Sequence, residues 1–195
     1  MGLAVFGKAQ RKDPGFITAM IDRIDRLNLV NLKAALDQDI QFFSVADDMG
    51  FKNGLVTNKK FYDEHIFPRY RSMINRIHNK GGKIYLHSEG NIAELMPSII
   101  EAGFDGVQGL TPMDGIDIAE MKINYGDKIA LLGGLLHSPM LDWYTPSEVE
   151  QEVIRVFNAA GRHGGLMMGP SAGIDHNCKI ENLLTMVKTI HAMKY

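Results

Sequence analysis

The sequence holds one cysteine, Cys178, in 195 residues. An internal disulfide is therefore excluded, and a reducing cytoplasm is the expected location. Neither charge is in surplus: 21 Lys and Arg stand against 23 Asp and Glu, a formal net charge of -2. Nucleic-acid binders usually carry a basic excess, and this chain has none. No apolar run approaches the roughly 20 residues that cross a bilayer. The early run from Leu3 to Phe6 is shorter than the roughly 7–15 residues of a signal-peptide core. Glycine-rich phosphate loops of the two common types are missing, as are repeats, low-complexity tracts and internal linkers. What is present is ordinary globular usage, 45% hydrophobic and 23% charged. The length suits one domain over residues 1–195. Nucleic acid and membrane are excluded as expected partners, which leaves a small-molecule substrate.

Helical and strand-like segments alternate along the chain. Asp13-Pro14 combines an acceptor cap with proline at the first helical position. The helix it opens carries Phe16, Ile17, Met20, Ile21 and Ile24 at three- and four-residue spacing, and helical pattern continues through Leu32, Ala35 and Leu36. Ile40 to Ala46 reads as a strand, and a long helix is predicted from about Asn58 to Asn79, ended by Gly81-Gly82. Further strands are predicted over Lys83 to His87, Phe104 to Leu110, Lys128 to Gly133 and Gly165 to Gly169. Between and after them lie four helices. One starts with an Asn91/Glu94 capping box and stops at Gly103. The second spans Ile116 to Tyr125, the third follows Thr145-Pro146-Ser147-Glu148 to Gly161, and the last covers Ile180 to Met193. Five strand–helix units in order predict an α/β fold with a parallel sheet. An open doubly wound sheet and part of a (β/α)8 barrel both satisfy that pattern.

Either architecture gathers its chemistry at the C-terminal ends of the strands. Asp47 and Asp48 follow the first strand, and neighbouring carboxylates can drive one pKa upward for acid or base work; a capping aspartate in a turn explains them equally well. Next come His87 and Glu89, which would point the same way if that strand ran on to Gly90. Imidazole plus carboxylate can serve as an acid–base pair or hold a divalent metal. Two ligands do not make a zinc site, however, and on spacing alone His87 reads as a hydrogen-bonding residue and Glu89 as a cap. Later strand ends carry Gln108 with Thr111, then His137, then Ser171 with Asp175 and His176. Gln108 and Ser171 are the expected substrate contacts. His65, His78 and His191 fall inside predicted helices, where packing or solvent exposure explains them. Cys178 reads as a small apolar residue rather than a nucleophile.

Three stretches resemble the uroporphyrinogen decarboxylase superfamily, which includes the decarboxylase of porphyrin synthesis and the corrinoid-dependent methyltransferases. They are DDMGFKNGLVTNKKFYDEHIFPRY at Asp47–Tyr70, LHSEGNIAELMPSIIEAGFDGVQGL at Leu86–Leu110 and MDGIDIAEMKINYGDKIALLGGL at Met113–Leu135. GPSAGI at Gly169–Ile174 and the Glu181-Asn182 pair follow in the family's order. The resemblance implies a partial (β/α)8 barrel of about five parallel strands, lacking the N-terminal barrel strands of a family about twice this long. It also implies zinc held by a His-x-Cys pair with a later cysteine in the methyltransferases. Here the pair reads His87-x-Glu89, and the late position, where the decarboxylase has a histidine, is Ala172.

Methyl transfer to a thiol or similar acceptor is the leading expectation, with Asp47, Asp48 and His87 as catalytic residues. Zinc on His87 and Glu89, with Asp48 or His176 recruited as a further ligand, and a corrinoid methyl donor are the cofactors implied. Porphyrinogen decarboxylation is the alternative, weakened because the strand-end loops carry no arginine for a polycarboxylate. A third expectation is a half-barrel subunit that needs a partner, either a second copy or a chain supplying the missing strands, because five strands leave two open sheet edges.

Overall fold

A computed structural model describes residues 2–194. Two helices come first: α1 (Leu3–Lys12) and α2 (Pro14–Leu36). Asp13 accepts from the Phe16 N–H at 2.9 Å and Pro14 occupies the first turn, as its cap signature requires. Helix α1 was not foreshadowed by the sequence pattern. None of its residues is buried; Phe6 packs edge-on against Phe61 at 5.8 Å, and Gln10 bonds Thr57 at 3.2 Å.

Strand β1 (Phe42–Ala46) leads into a small hairpin, β2 (Gly50–Phe51) with β3 (Gly54–Leu55). The predicted helix begins after Asn58, which caps it by accepting from Phe61 N–H at 2.9 Å. It is not uniform, though. A short α3 (Lys59–Phe61) passes through a π turn at Tyr62–Ile66 before α4 (Phe67–His78). Pro68 has no N–H to offer the carbonyl four residues back, so the ladder widens upstream of it.

Strand β4 (Lys83–His87) is followed by a 3-10 turn at Ala93–Leu95 and α5 (Met96–Ala102). The expected Asn91/Glu94 capping box does not form. Asn91 accepts from Ala93 N–H at 3.2 Å in an Asx turn, and the helix opens later, with Pro97 in its first turn. Then come β5 (Gly106–Leu110), α6 (Ile118–Tyr125), β6 (Ala130–Leu135), α7 (Met140–Trp143) and α8 (Pro146–Val156). Helix α8 carries the predicted capping box between Thr145 and Glu148 and ends through a π turn at Phe157–Gly161. Strand β7 (Leu166–Pro170) and α9 (Ile180–Ala192) complete the chain. Buried Asn182 donates to the Met140, Leu141 and Tyr144 carbonyls, tying α9 to α7.

The main sheet has the order β1-β4-β5-β6-β7, and every pair is parallel. No reversal of strand order occurs, so the doubly wound alternative fails and a barrel segment remains. The core lies between the sheet and its helices. Ile84, Leu86, Val107, Leu131 and Leu166 meet Ile74, Ile77, Ile99, Val149 and Val153 there, each such side chain worth roughly 1.5–3 kcal/mol on burial. The opposite face carries a registered row, Ala46–His87–Gln108–Leu132–Met167. That row is where the barrel interior begins, and at its end Met167 is 61% exposed.

Candidate active site

Strand ends in a parallel sheet stay in register only as long as the ladder continues. Asp47 N–H donates to the His87 carbonyl at 3.0 Å and Ser88 N–H to the Gln108 carbonyl at 3.1 Å. These bonds carry β1, β4 and β5 out together and hold His87 level with Gln108. His87 Nδ1 lies 3.2 Å from Gln108 Oε1. A carbonyl oxygen there accepts the Nδ1 proton, which leaves the Nε2 lone pair free to take one from a substrate. Both residues are half-buried.

The ladder stops at that point. Gly90 has φ +84°, and a Cβ on it would lie 2.1 Å from the Gly50 carbonyl carbon. The hairpin backbone crosses the chain there at a distance only glycine permits. Strand β4 thus ends at His87, and the alternation that would align Glu89 with His87 does not extend that far. Glu89 is exposed, and its N–H donates to Asp48 Oδ1 at 3.0 Å. Asp48 therefore closes the turn from the neighbouring strand end. Ser88, fully buried, accepts from Met49 N–H at 2.9 Å and joins the same two strand ends.

Asp47 and Asp48 diverge, as neighbours on extended chain should. Asp47 Oδ2 accepts from the Tyr70 hydroxyl at 2.6 Å. Burial pushes the Asp47 carboxyl up, against the pull of the Tyr70 hydroxyl and with some help from the Asp48 charge. Burial and the adjacent Asp47 charge push Tyr70 far above the usual phenol range, and burial chiefly takes Tyr62 to about 12. Both phenols stay protonated, and Tyr62 donates to the Met49 carbonyl at 3.0 Å. Asp47 thus faces the helices, away from the His87 row.

On the far side, Ser171 is 2% exposed and its Oγ lies 3.5 Å from His137 Nδ1. His176 is exposed in the loop after β7. Burial, then the charges of Asp142, Asp175 and Glu181, push the Cys178 thiol up, which suppresses the nucleophilic thiolate. Two partners escaped the sequence reading. Tyr70 reaches Asp47 from α4, and Asp114 accepts from Gly90 N–H at 3.1 Å. Asp114 sits in a Pro-Met-Asp-Gly turn, whose composition gives its place but not its distant donor.

Among the described residues, no three His, Cys, Asp or Glu side chains converge as a metal site needs. The residues present do not fit zinc, since a catalytic site takes three protein ligands and an open position. Nor does any group here single out a corrinoid. Among the described residues no helix is long and apolar enough to cross a membrane.

Comparison with known proteins agrees with this architecture. The uroporphyrinogen decarboxylase of Pseudoalteromonas atlantica is 26% identical over 182 residues, covering 92% of this chain and 49% of that protein. The enzyme of the same name from Photorhabdus laumondii is 22% identical and covers 95% and 51%. A methyltransferase structure from Methanosarcina mazei superposes with a TM-score of 0.78 at 14% identity, over 97% of this chain and 53% of that one; at that identity the match speaks for the fold. The chain spans about half the length of the relatives it matches. The family model described as Uroporphyrinogen decarboxylase (URO-D) matches residues 2–193, and the chain belongs to that family.

Proposed function

We propose that the protein belongs to the methyl-transferring branch of its family and moves a methyl group to a thiol or a similar acceptor. The observation that carries this reading is the His87–Gln108 pair on the barrel face. Gln108 fixes the imidazole with Nε2 free, and a thiol acceptor needs such a base to lose its proton. Proton transfer to Nε2 leaves a thiolate whose lone pair forms the new S–C bond, and the old bond to the methyl carbon breaks with its electron pair left on the donor. A corrinoid is the donor class the family resemblance implies. Gln108 contacts the substrate in this reading, and Asp48 holds the turn beside His87; Ser171, 2% exposed, is too buried to reach it.

Charge supports the choice. Apart from the inward-turned Asp47, the five segments that follow the strand ends carry Asp48, Glu89, Asp114, Asp117, Asp142 and Asp175 against Lys52 and Lys179, and no arginine. A porphyrinogen bearing many carboxylates would be repelled from such a mouth. Decarboxylation remains the second reading, favoured by the names of the curated relatives. A direct assay separates the two. The protein is given methylcobalamin with a small thiol, and separately uroporphyrinogen, and products are followed by mass spectrometry. Thioether formation that disappears in His87→Gln is expected. Loss of carbon dioxide from uroporphyrinogen without any thioether would overturn the proposal.

A further inference from the structure

The turn that follows β4 spends all of its amide donors. Ser88 N–H donates to the Gln108 carbonyl at 3.1 Å and Asn91 N–H to the Phe51 carbonyl at 2.8 Å. Between them, Glu89 N–H donates to Asp48 Oδ1 at 3.0 Å and Gly90 N–H to Asp114 Oδ2 at 3.1 Å. Successive backbone N–H groups in a turn make a seat for an anion, and here two carboxylates of the chain itself already occupy it. The side chain left over is Glu89. It is exposed, and its carboxylate takes part in no hydrogen bond or ion pair among the described residues. Asp48 and Asp114 are in no ion pair there either. Lys179 of the β7 loop is engaged with the Trp143 and Tyr144 carbonyls, and Lys52 on the hairpin is outnumbered by the three carboxylates. These charges bear on a thiol at His87. Negative neighbours disfavour the thiolate, and the described side chains assemble no metal site that could offset them. The positive charge that a thiolate needs has to arrive with the acceptor.

We propose that the acceptor is a small thiol bearing its own ammonium group, and that Glu89 holds this group and sets the specificity. The inference rests on the reading of His87 as the base and names the substrate class for it. Residues two apart have Cα atoms at most about 7 Å apart, so a short aminothiol with its sulfur at His87 Nε2 brings its nitrogen within reach of Glu89. There the ammonium pairs with a carboxylate that otherwise has no partner. It also lowers the pKa of the adjoining thiol, which eases proton transfer to Nε2. The bond changes are unaffected: the proton passes from sulfur to Nε2, the S–C bond forms, and the donor keeps the electron pair of the old bond. A thiol with a carboxylate tail meets the reverse, because no turn N–H is free for the tail and its charge adds to the repulsion.

Three thiols with the same two-carbon spacing test this, with methylcobalamin as donor: cysteamine, β-mercaptoethanol and β-mercaptopropionate. Their kcat/KM values should fall in that order by about fivefold per step, the most that an exposed ion pair supports. Raising the salt from about 0.01 to 1 M shortens the screening length from about 30 to 3 Å and should erase most of the order. In Glu89→Gln the first step should shrink below about twofold, mainly through KM. In Glu89→Lys the amine and the carboxylate should exchange places. The Glu89 side chain makes no bond in the fold, so both variants should keep the parent's circular dichroism. A second readout needs no turnover. S-methylcysteamine and methylthioethanol are titrated while the His87 ring resonances are followed by NMR; the amine should bind about fivefold tighter, and Glu89→Gln should abolish the difference. Equal kcat/KM for the three thiols, or an amine preference that survives in Glu89→Gln, would overturn the proposal. If no thiol is methylated, the functional reading fails and the titration alone decides specificity. An amine preference lost in Glu89→Gln then upholds the role of Glu89, and equal binding or none overturns it.

Discussion

Two acidic neighbours, Asp47 and Asp48, illustrate how a single backbone step decides chemistry. Asp48 points to solvent and closes a turn, while Asp47 turns inward to a phenol that stays protonated. Because burial raises the folded pKa of Asp47, its contribution to stability is complete below the ordinary carboxylate value of about 4 and is lost as pH rises through the raised one. Asp47→Asn keeps an acceptor for Tyr70 without the buried charge. Urea midpoints for this variant should match or exceed the parent at pH 7 and vary less between about pH 4 and 7. Tyr70→Phe goes the other way, stranding a buried carboxylate at a cost of about 1–3 kcal/mol. A lower midpoint for Asp47→Asn at neutral pH would contradict this account. At His87 the expectation is kinetic. His87→Gln should lower kcat about 10²–10⁴-fold with little change in KM, whereas Gln108→Leu, which unfixes the ring and removes a substrate contact, should cost less in kcat, raise KM and alter the pH profile.

Elements hold these residues in place through a few demanding contacts. Gly109 has φ +99° at the irregularity between Gln108 and Leu110, and a Cβ there would lie 2.1 Å from the Ser88 carbonyl oxygen. Gly109→Ala should therefore cost at least about 2 kcal/mol and tilt Gln108 away from His87. Thr145→Ala, by contrast, removes one cap from an otherwise undisturbed α8 and should cost about 1 kcal/mol; thermal melts of the two variants give the comparison. Caps of this kind were readable in the sequence at Asp13 and Thr145, because each needs only its own helix. The strands were readable as well, since aliphatic runs between glycines carry their own period. Residues that depend on distant backbone were not. Asn91 with Glu94 satisfied a capping pattern, yet Asn91 went to an Asx turn. The hairpin at Gly50–Leu55 is too short for any periodicity to register. The Asp47–Tyr70 bond joins residues 23 apart along the chain, and no spacing rule reaches that far. Of the site, the strand-end positions could be read; which of them pair could not.

Stability should be uneven across the whole molecule. Strands β4 to β6 sit inside the sheet with both edges paired, and Leu86, Val107 and Leu131 are fully buried. Helix α1 buries nothing, and α2, at 23 residues, buries only Ile17 and Leu32. The two helices are held by Leu32, by Leu29 and Leu36 packed against the core, by Phe6 on Phe61, and by two partly buried polar ties, Gln10 to Thr57 at 3.2 Å and Asp22 to Arg69. Segments with little buried apolar surface open locally at a fraction of the global free energy. Limited proteolysis should therefore cut within residues 3–36 first and leave a resistant fragment containing β4 to β7. Amide exchange should rank the same way, with α1 and α2 fastest and Leu86, Val107 and Leu131 slowest. First cleavage inside α8 or β6, or equal exchange throughout, would mean that α1 and α2 fold as one unit with the sheet, and the polar ties would then have been undervalued.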